Sequence, residues 1–169
     1  VGDENDGWRV TMVTLSFERG TGFVGELLES MRVLRSLTEL AKRTGQWGDP
    51  SVRRRVGTLT GAFDALWALT KRNVSEAARN GVPGVGGVVF KLAYSEQGQA
   101  LTELGMDLLD RAGLAMSGLD GADGLGELPN HELVDSWIKS ISLTIAAGTS
   151  QVQRNIVAER LLGLPKEIR

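Results

Sequence analysis

Apolar side chains recur along this chain at the spacing of a helix. Val24, Leu27, Leu28, Met31, Leu34, Leu37 and Leu40 fall at i, i+3, i+4 and i+7 positions and so line one face of an α-helix. Arg43-Thr44-Gly45 follows, and a basic last turn ahead of a glycine is a helix stop. Upstream, Trp8, Met12, Leu15 and Phe17 either continue this helix or form a shorter one before it, with Asn5 or Asp6 as cap and a bend at Gly20 and Gly22. Asp49-Pro50-Ser51 opens a second long helix, because proline suits a first turn. Val52, Val56, Leu59, Phe63 and Leu66 then repeat every three or four residues, with an end near Asn80-Gly81. A third run follows the breaker Gly81-Val82-Pro83-Gly84, carries Val88, Val89, Leu92, Ala93, Leu101, Leu104 and Leu108, and ends near Gly113. Residues 117–130 read as a glycine and aspartate loop. A fourth helix is expected from Asn130 to Ala146 with Leu133, Trp137, Ile138, Ile141 and Ile145 inside, and a last one from Ser150 to Leu162.

No segment alternates strictly between apolar and polar, so no sheet is expected. Amphipathic helices joined by short breaks bury their stripes against one another, which predicts an all-α fold: an antiparallel four-helix bundle with an additional C-terminal helix. The 22 glycines in 169 residues exceed the average usage of about 7%, and some are expected to allow close helix packing or approach to a ligand. The length fits one domain. Val1 to Asp6 is polar and acidic and no initiator Met is present, so the chain reads as a piece of a longer polypeptide. Residues 1–7 are then an interdomain linker, 8–162 the helical domain and 163–169 a tail.

Composition removes several chemistries. Zero cysteines exclude disulfides, thiolate metal sites and cysteine nucleophiles, and one histidine, His131, leaves little from which to build a zinc site or a Ser-His triad. No metal is expected. Nineteen Lys and Arg against 21 Asp and Glu give a net charge of -2, without the basic excess that nucleic acid binding needs. No apolar run approaches the roughly 20 residues of a membrane span, and the opening does not resemble a signal peptide, so the expected location is cytoplasmic.

The local candidates divide by spacing. Gly84-Val85-Gly86-Gly87 lacks the third glycine and the preceding strand of a nucleotide loop and reads as a helix-breaking turn. Asp120, Asp123 and Glu127 lack calcium-loop spacing. Arg53-Arg54-Arg55 point about 100° apart on a helix and form no focused site. His131 fits a helix start, and Trp8, Trp47, Trp67 and Trp137 read as packing anchors. Glu18-Arg19 interrupts an apolar stretch of Met12, Val13, Leu15 and Phe17 that resumes at Phe23. A carboxylate among apolar groups acquires the raised pKa of a general base, and an ordinary ion pair or surface position fits the same pattern. Gly148-Thr149-Ser150-Gln151-Val152-Gln153 offers a Ser-x-x-Gln capping box at Ser150 and Gln153.

The run Gly148-Thr-Ser-Gln-Val-Gln-Arg-Asn-Ile-Val-Ala-Glu-Arg-Leu-Leu-Gly-Leu-Pro165 closely resembles the C-terminal signature of acyl-CoA dehydrogenases. The opening Asp6-Gly-Trp-Arg-Val-Thr-Met-Val-Thr-Leu-Ser-Phe-Glu-Arg-Gly20 is similar to the segment leading from that family's middle β domain into its helical C-terminal domain. The resemblance implies an FAD enzyme in which a carboxylate removes the pro-R α proton of an acyl-CoA thioester while the β hydride passes to the flavin, giving the trans-2-enoyl-CoA. Relatives place the base either just before the Gly-Thr-Ser signature or in the first helix of this domain. The first position is Ala147 here and takes no proton; the second coincides with Glu18, as in the isovaleryl-CoA type. Arg19 is then expected near the thioester or holding Glu18. Thr149 and Gln151 match positions that lie against FAD. Arg43 lies near the place of an arginine that reaches the flavin pyrophosphate of the neighbouring subunit, with the usual Arg-x-x-Phe-Gly written here as Arg43-Thr-Gly-Gln-Trp-Gly48.

The resemblance further implies an acyl-CoA substrate, electron-transfer flavoprotein as electron acceptor, and a homo- or hetero-oligomer assembled through the bundle. It implies too that the domain alone is inactive. A second reading is a non-catalytic subunit of a heteromeric acyl-CoA dehydrogenase that completes its partner's flavin site.

Overall fold

The chain's helices begin and end where local chemistry dictates. In the computed structural model, residues 2–18, 24–81, 86–110 and 130–166 are described, with the backbone alone for 15–18 and 130–131. Helix α1 spans Gly7–Glu18 and α2 spans Val24–Arg43. Gly45, at φ 79°, closes α2 and leads into a single 3-10 turn at Gln46–Gly48. The long helix α3, Pro50–Asn80, is capped by Asp49, whose carboxylate accepts from Ser51 N at 2.7 Å, and Gly81 ends it at φ 73°. Helix α4 covers Gly86–Leu109, α5 covers Asn130–Leu143, and α6, Ser150–Ile156, continues as one π turn over Val157–Leu161. No strand occurs among the described residues.

Helices α2, α3, α4 and α5 pack in sequence order, and α6 folds back onto α4. Cross-contacts fix their directions. Arg55 reaches Asp107 at 2.5 Å while Gly86 abuts Asn73, so α3 and α4 are antiparallel. Gly105 meets Leu133 while Gln99 donates to the Ser140 carbonyl and the Thr144 hydroxyl, so α4 and α5 are antiparallel too. Helices α2 and α4 run parallel across the diagonal, with Ser30 beside Tyr94 and Gln46 donating to the Leu108 carbonyl at 3.1 Å. The expected antiparallel bundle with an added C-terminal helix is the observed architecture.

Leu27, Phe63 and Leu104 are fully buried at its centre, joined by Leu34, Leu37, Leu40, Val56, Leu59, Leu66, Leu101 and Leu108. Each such side chain contributes about 1.5–3 kcal/mol on burial. The stripes of α2 and α3 are largely those the periodicity predicts. On α4, Phe90, Lys91, Tyr94 and Ser95 take the buried positions beside Val88, leaving Val89, Leu92 and Ala93 half-buried. Of the positions expected inside the fourth helix, Leu133 is buried and Trp137 half-buried, whereas Ile138 and Ile141 on α5 and Ile145 just beyond it are exposed; Val134 and Ser140 face the bundle beside Leu133. The reason is the close approach at Gly105. A Cβ on that residue would lie 2.8 Å from a Leu133 methyl, so the Leu133 and Ser140 face is the one that fits, and the Ser140 hydroxyl meets that of Thr102 at 3.1 Å. Trp47 and Trp67 pack against the core, but Trp8, expected as an anchor, is 75% exposed, because α1 packs little against the long helices.

Candidate functional site

The signature stretch begins in a reversed turn. After α5 the chain runs through residues 144–147, with Ala146 N donating to the Ser142 carbonyl at 2.8 Å, and Ala147 and Gly148 then take φ of 53° and 96°. This puts Thr149 in the extended conformation of a helix cap, φ -60° and ψ 159°, and its hydroxyl accepts from Val152 N at 3.2 Å. The capping box expected at Ser150 and Gln153 is therefore not formed; the cap sits one residue earlier. Gln153 instead turns inward. It is fully buried, and its Nε2 donates to the carbonyls of Ala147 at 3.0 Å and Gly148 at 3.4 Å. A side chain on Gly148 would strain the backbone at φ 96° and place Cβ 2.5 Å from that Nε2, displacing the Gln153 amide.

Lys91 of α4, only 4% exposed, donates from Nζ to the same Gly148 carbonyl at 2.6 Å. A buried ammonium is tolerated only when it is hydrogen-bonded, and this contact is charge-assisted. Arg154 pairs with Glu96 and fastens α6 to α4 a second time. Ser150 Oγ and Gln153 Oε1 are buried with no protein partner.

The residues singled out in the sequence lie as follows. Glu18 ends α1, with only its backbone described, and Arg19 lies outside the described residues. Thr149 is half-buried at the start of α6, and Gln151 is exposed beside it. Ala147 is exposed and presents a methyl group. Arg43 is exposed on the last turn of α2, at the other end of the bundle. The two ends are marked on α4 by Lys91 and Leu108, about 25 Å apart at 1.5 Å per residue. The structure thus brings Thr149 and Gln151 together and keeps Arg43 apart from them.

A cleft of about 790 Å³ opens between α2, α4 and α5. Its floor is Tyr94, Ser30, Leu101, Thr102, Leu133 and Ser140, all buried, and exposed Glu26, Glu29 and Glu132 stand at its rim with Lys139. Burial raises the Tyr94 phenol above its ordinary value, a hydrogen bond with Ser30 acts against this, and the Glu26 charge adds to the rise. Glu29 is held below the usual carboxylate range by its hydrogen bond with Arg32. Three carboxylates against one ammonium disfavour a phosphate here, while the apolar and hydroxyl floor suits an uncharged group.

The remaining candidates among the described residues form no site. Arg53 donates to the carbonyls of Trp47 and Gly48, and Arg55 turns to Asp107. No group of histidine and carboxylate side chains able to hold a metal occurs among the described residues. Asp120, Asp123, Glu127, Gly84 and Val85 lie outside them, as does the side chain of His131. No described helix is long and apolar enough to cross a membrane. The sequence reading missed Lys91 and the inward role of Gln153. A signal for the lysine was present: a lone charge in Val88-Val89-Phe90-Lys91-Leu92-Ala93, three residues from Val88 and from Tyr94 on the buried stripe.

These features define an all-α bundle domain whose C-terminal helix is entered through a turn pinned to its third long helix. Residues 5–162 match the family model described as acyl-CoA dehydrogenase, C-terminal domain, and the chain belongs to the acyl-CoA dehydrogenase family. It is 35% identical over its whole length to acyl-CoA dehydrogenase IpdE1 of Mycolicibacterium smegmatis and 38% identical over 99% of its length to IpdE1 of Mycobacterium tuberculosis, covering 40% of each. Acyl-CoA dehydrogenase FadE34 of Mycobacterium tuberculosis is 34% identical over 98% of the chain, which covers 21% of that protein. The chain thus spans well under half the length of these relatives. Among solved structures, the steroid ACAD Tcur3481-Tcur3483 superposes with a TM-score of 0.79 at 23% identity, over 99% of this chain and 42% of its own, which bears on the fold alone. The family is one of oxidoreductases that generally use FAD.

Proposed function

We propose that this chain is the C-terminal domain of an FAD-dependent acyl-CoA dehydrogenase that desaturates an acyl-CoA thioester between Cα and Cβ, with Glu18 as the base for the α proton. The observation that carries the reading is the turn at 147–149, where the run that resembles the family signature meets a backbone held by two buried side chains. The residues fit FAD. Thr149 and Gln151 offer a hydroxyl and a neutral amide on the outer side of the turn, suited to the uncharged polar atoms of a flavin and its ribityl chain. Arg43 offers a guanidinium suited to a pyrophosphate. The family resemblance assigns it to the flavin of a neighbouring subunit, and its separation from Thr149 agrees with that assignment. When bound, FAD supplies the acceptor for the hydride leaving Cβ.

The chain's own residues do the rest. Glu18 takes the α proton on a carboxylate oxygen and becomes neutral. Arg19, next to it, orients the carboxylate or the thioester. Ala147, at the other place relatives use for the base, has no atom that accepts a proton, so the work falls to one carboxylate. Electrons then leave to electron-transfer flavoprotein, and the bundle face bearing Ile138, Ile141 and Ile145 is available for assembly into an oligomer.

The test is anaerobic bleaching of the flavin in the full-length protein on adding straight, branched and polycyclic acyl-CoAs. Wild type bleaches; Glu18→Gln keeps its flavin and bleaches at least about a hundredfold more slowly, the scale of a lost general base. Bleaching of the variant at the wild-type rate refutes the assignment of the base. A flavin-loaded wild type that bleaches with none of them favours the second reading, a non-catalytic subunit completing a partner's flavin site.

A further inference from the structure

A bundle built for packing alone has no use for an ammonium on its buried stripe. Lys91 occupies such a position and donates at 2.6 Å to a backbone atom, the Gly148 carbonyl. Gln153, fully buried, spends both its hydrogen bonds on the same two peptides, through the carbonyls of Ala147 and Gly148. These peptides need anchoring, because Ala147 and Gly148 stand at positive φ, outside any helical ladder, and a non-glycine residue there costs about 1–2 kcal/mol. A trans peptide is planar, so its carbonyl and its N–H point in opposite directions. Drawing the Gly148 carbonyl toward α4 therefore aims the Thr149 N–H away from α4. Gln153, holding the Ala147 carbonyl, likewise aims the N–H of Gly148 away from its own side chain.

We infer that Lys91 and Gln153 are positioning residues that fix the peptide planes of the 147–149 turn, and so set the affinity of the site for the flavin. The inference rests on the reading that Thr149 and Gln151 face FAD. Lys91 acts on the backbone and touches neither cofactor nor substrate. Its replacement by an apolar side chain of similar length leaves the fold standing, since Gln153 Nε2 still donates to the Gly148 carbonyl and that buried acceptor keeps a partner. What is lost is the direction of the turn.

The test uses the full-length protein with Lys91→Met and Gln153→Leu, singly and together. Three quantities are measured: the FAD dissociation constant, the thermal midpoint of the apoprotein, and the flavin absorption spectrum. Lys91→Met is expected to raise the dissociation constant about tenfold, the scale of one charge-assisted hydrogen bond, without lowering the apoprotein midpoint. The flavin spectrum shifts with it. Since both residues hold one turn, the double variant loses less than the product of the single losses. An unchanged dissociation constant in Lys91→Met overturns the inference, and so does a loss that runs parallel to a fall in the apoprotein midpoint. The underlying reading fails separately. A wild type that binds no FAD overturns both, whereas a wild type that binds FAD but never bleaches, with affinity still lost in Lys91→Met, upholds the positioning role and favours the non-catalytic subunit over the catalytic reading.

Discussion

Replacing Gly105 with alanine tests the contact that selects the face of α5. In an exposed helix the change is worth about 1 kcal/mol of stability from backbone entropy. At Gly105 the new methyl would lie 2.8 and 2.9 Å from the two Leu133 Cδ atoms and 3.1 Å from its Cγ. Rotating the isobutyl group would carry its carbons into neighbouring core side chains, because Leu133 is 3% exposed within the core. Relief requires α5 to back away, and overpacking of this kind costs about 1–3 kcal/mol. We take the upper part of that range, so Gly105→Ala is expected to destabilise the protein by about 1–2 kcal/mol net, or about 2–8 °C in Tm. Gly61→Ala on α3, where nothing stands within 4 Å, supplies the control and should stabilise by about 1 kcal/mol. Urea unfolding followed by far-UV circular dichroism reads both. Leu133→Ala alone should cost about 2–5 kcal/mol, and combined with Gly105→Ala it should cost less than the sum of the two, since the new methyl then occupies vacated space. If Gly105→Ala stabilises as much as Gly61→Ala, the close approach does not constrain α5 and the explanation of its orientation is wrong.

Tyr94 is the sole tyrosine, so its phenolate absorbance can be titrated directly. With the folded pKa raised chiefly by burial, the native midpoint should exceed that of the denatured chain; the corresponding stability is complete below about pH 10, is lost as pH rises toward the folded value, and disappears in Tyr94→Phe. A native midpoint at or below the denatured one contradicts this. The Arg55–Asp107 pair between α3 and α4 is partly exposed, and Asp107→Asn should cost under about 1 kcal/mol, a difference that shrinks in high salt; a larger, salt-independent loss in chemical denaturation would show a buried role.

The helices were legible because each carries its own punctuation. Asp49-Pro50 and Gly81 bracket α3, and the α2 stripe from Leu27 to Leu40 leads straight to the core. What periodicity did not reveal was which apolar face turns inward. The α5 sequence has isoleucines at helical spacing, yet the buried face is chosen by a glycine on another helix and by the Ser140–Thr102 hydroxyl contact. The 148–165 run was visible by resemblance, but its support was not. Lys91 lies 57 residues from Gly148 in sequence, so their contact exists only in the folded chain. The cap at Thr149 was displaced from Ser150 for a similar reason, since two consecutive positive φ values are not written in a capping motif.

Helix α1 stands apart from all this. None of its described side chains, from Gly7 to Thr14, is buried, and Trp8 and Val13 present apolar surface outward. Twelve residues make only a marginal helix in water on their own. Its amide hydrogens should therefore exchange first, unless another surface covers Trp8, Met12 and Val13. If Glu18 is the base, it hangs from a helix none of whose described side chains is buried. The placing of that carboxylate would then depend on whatever surface covers Trp8, Met12 and Val13.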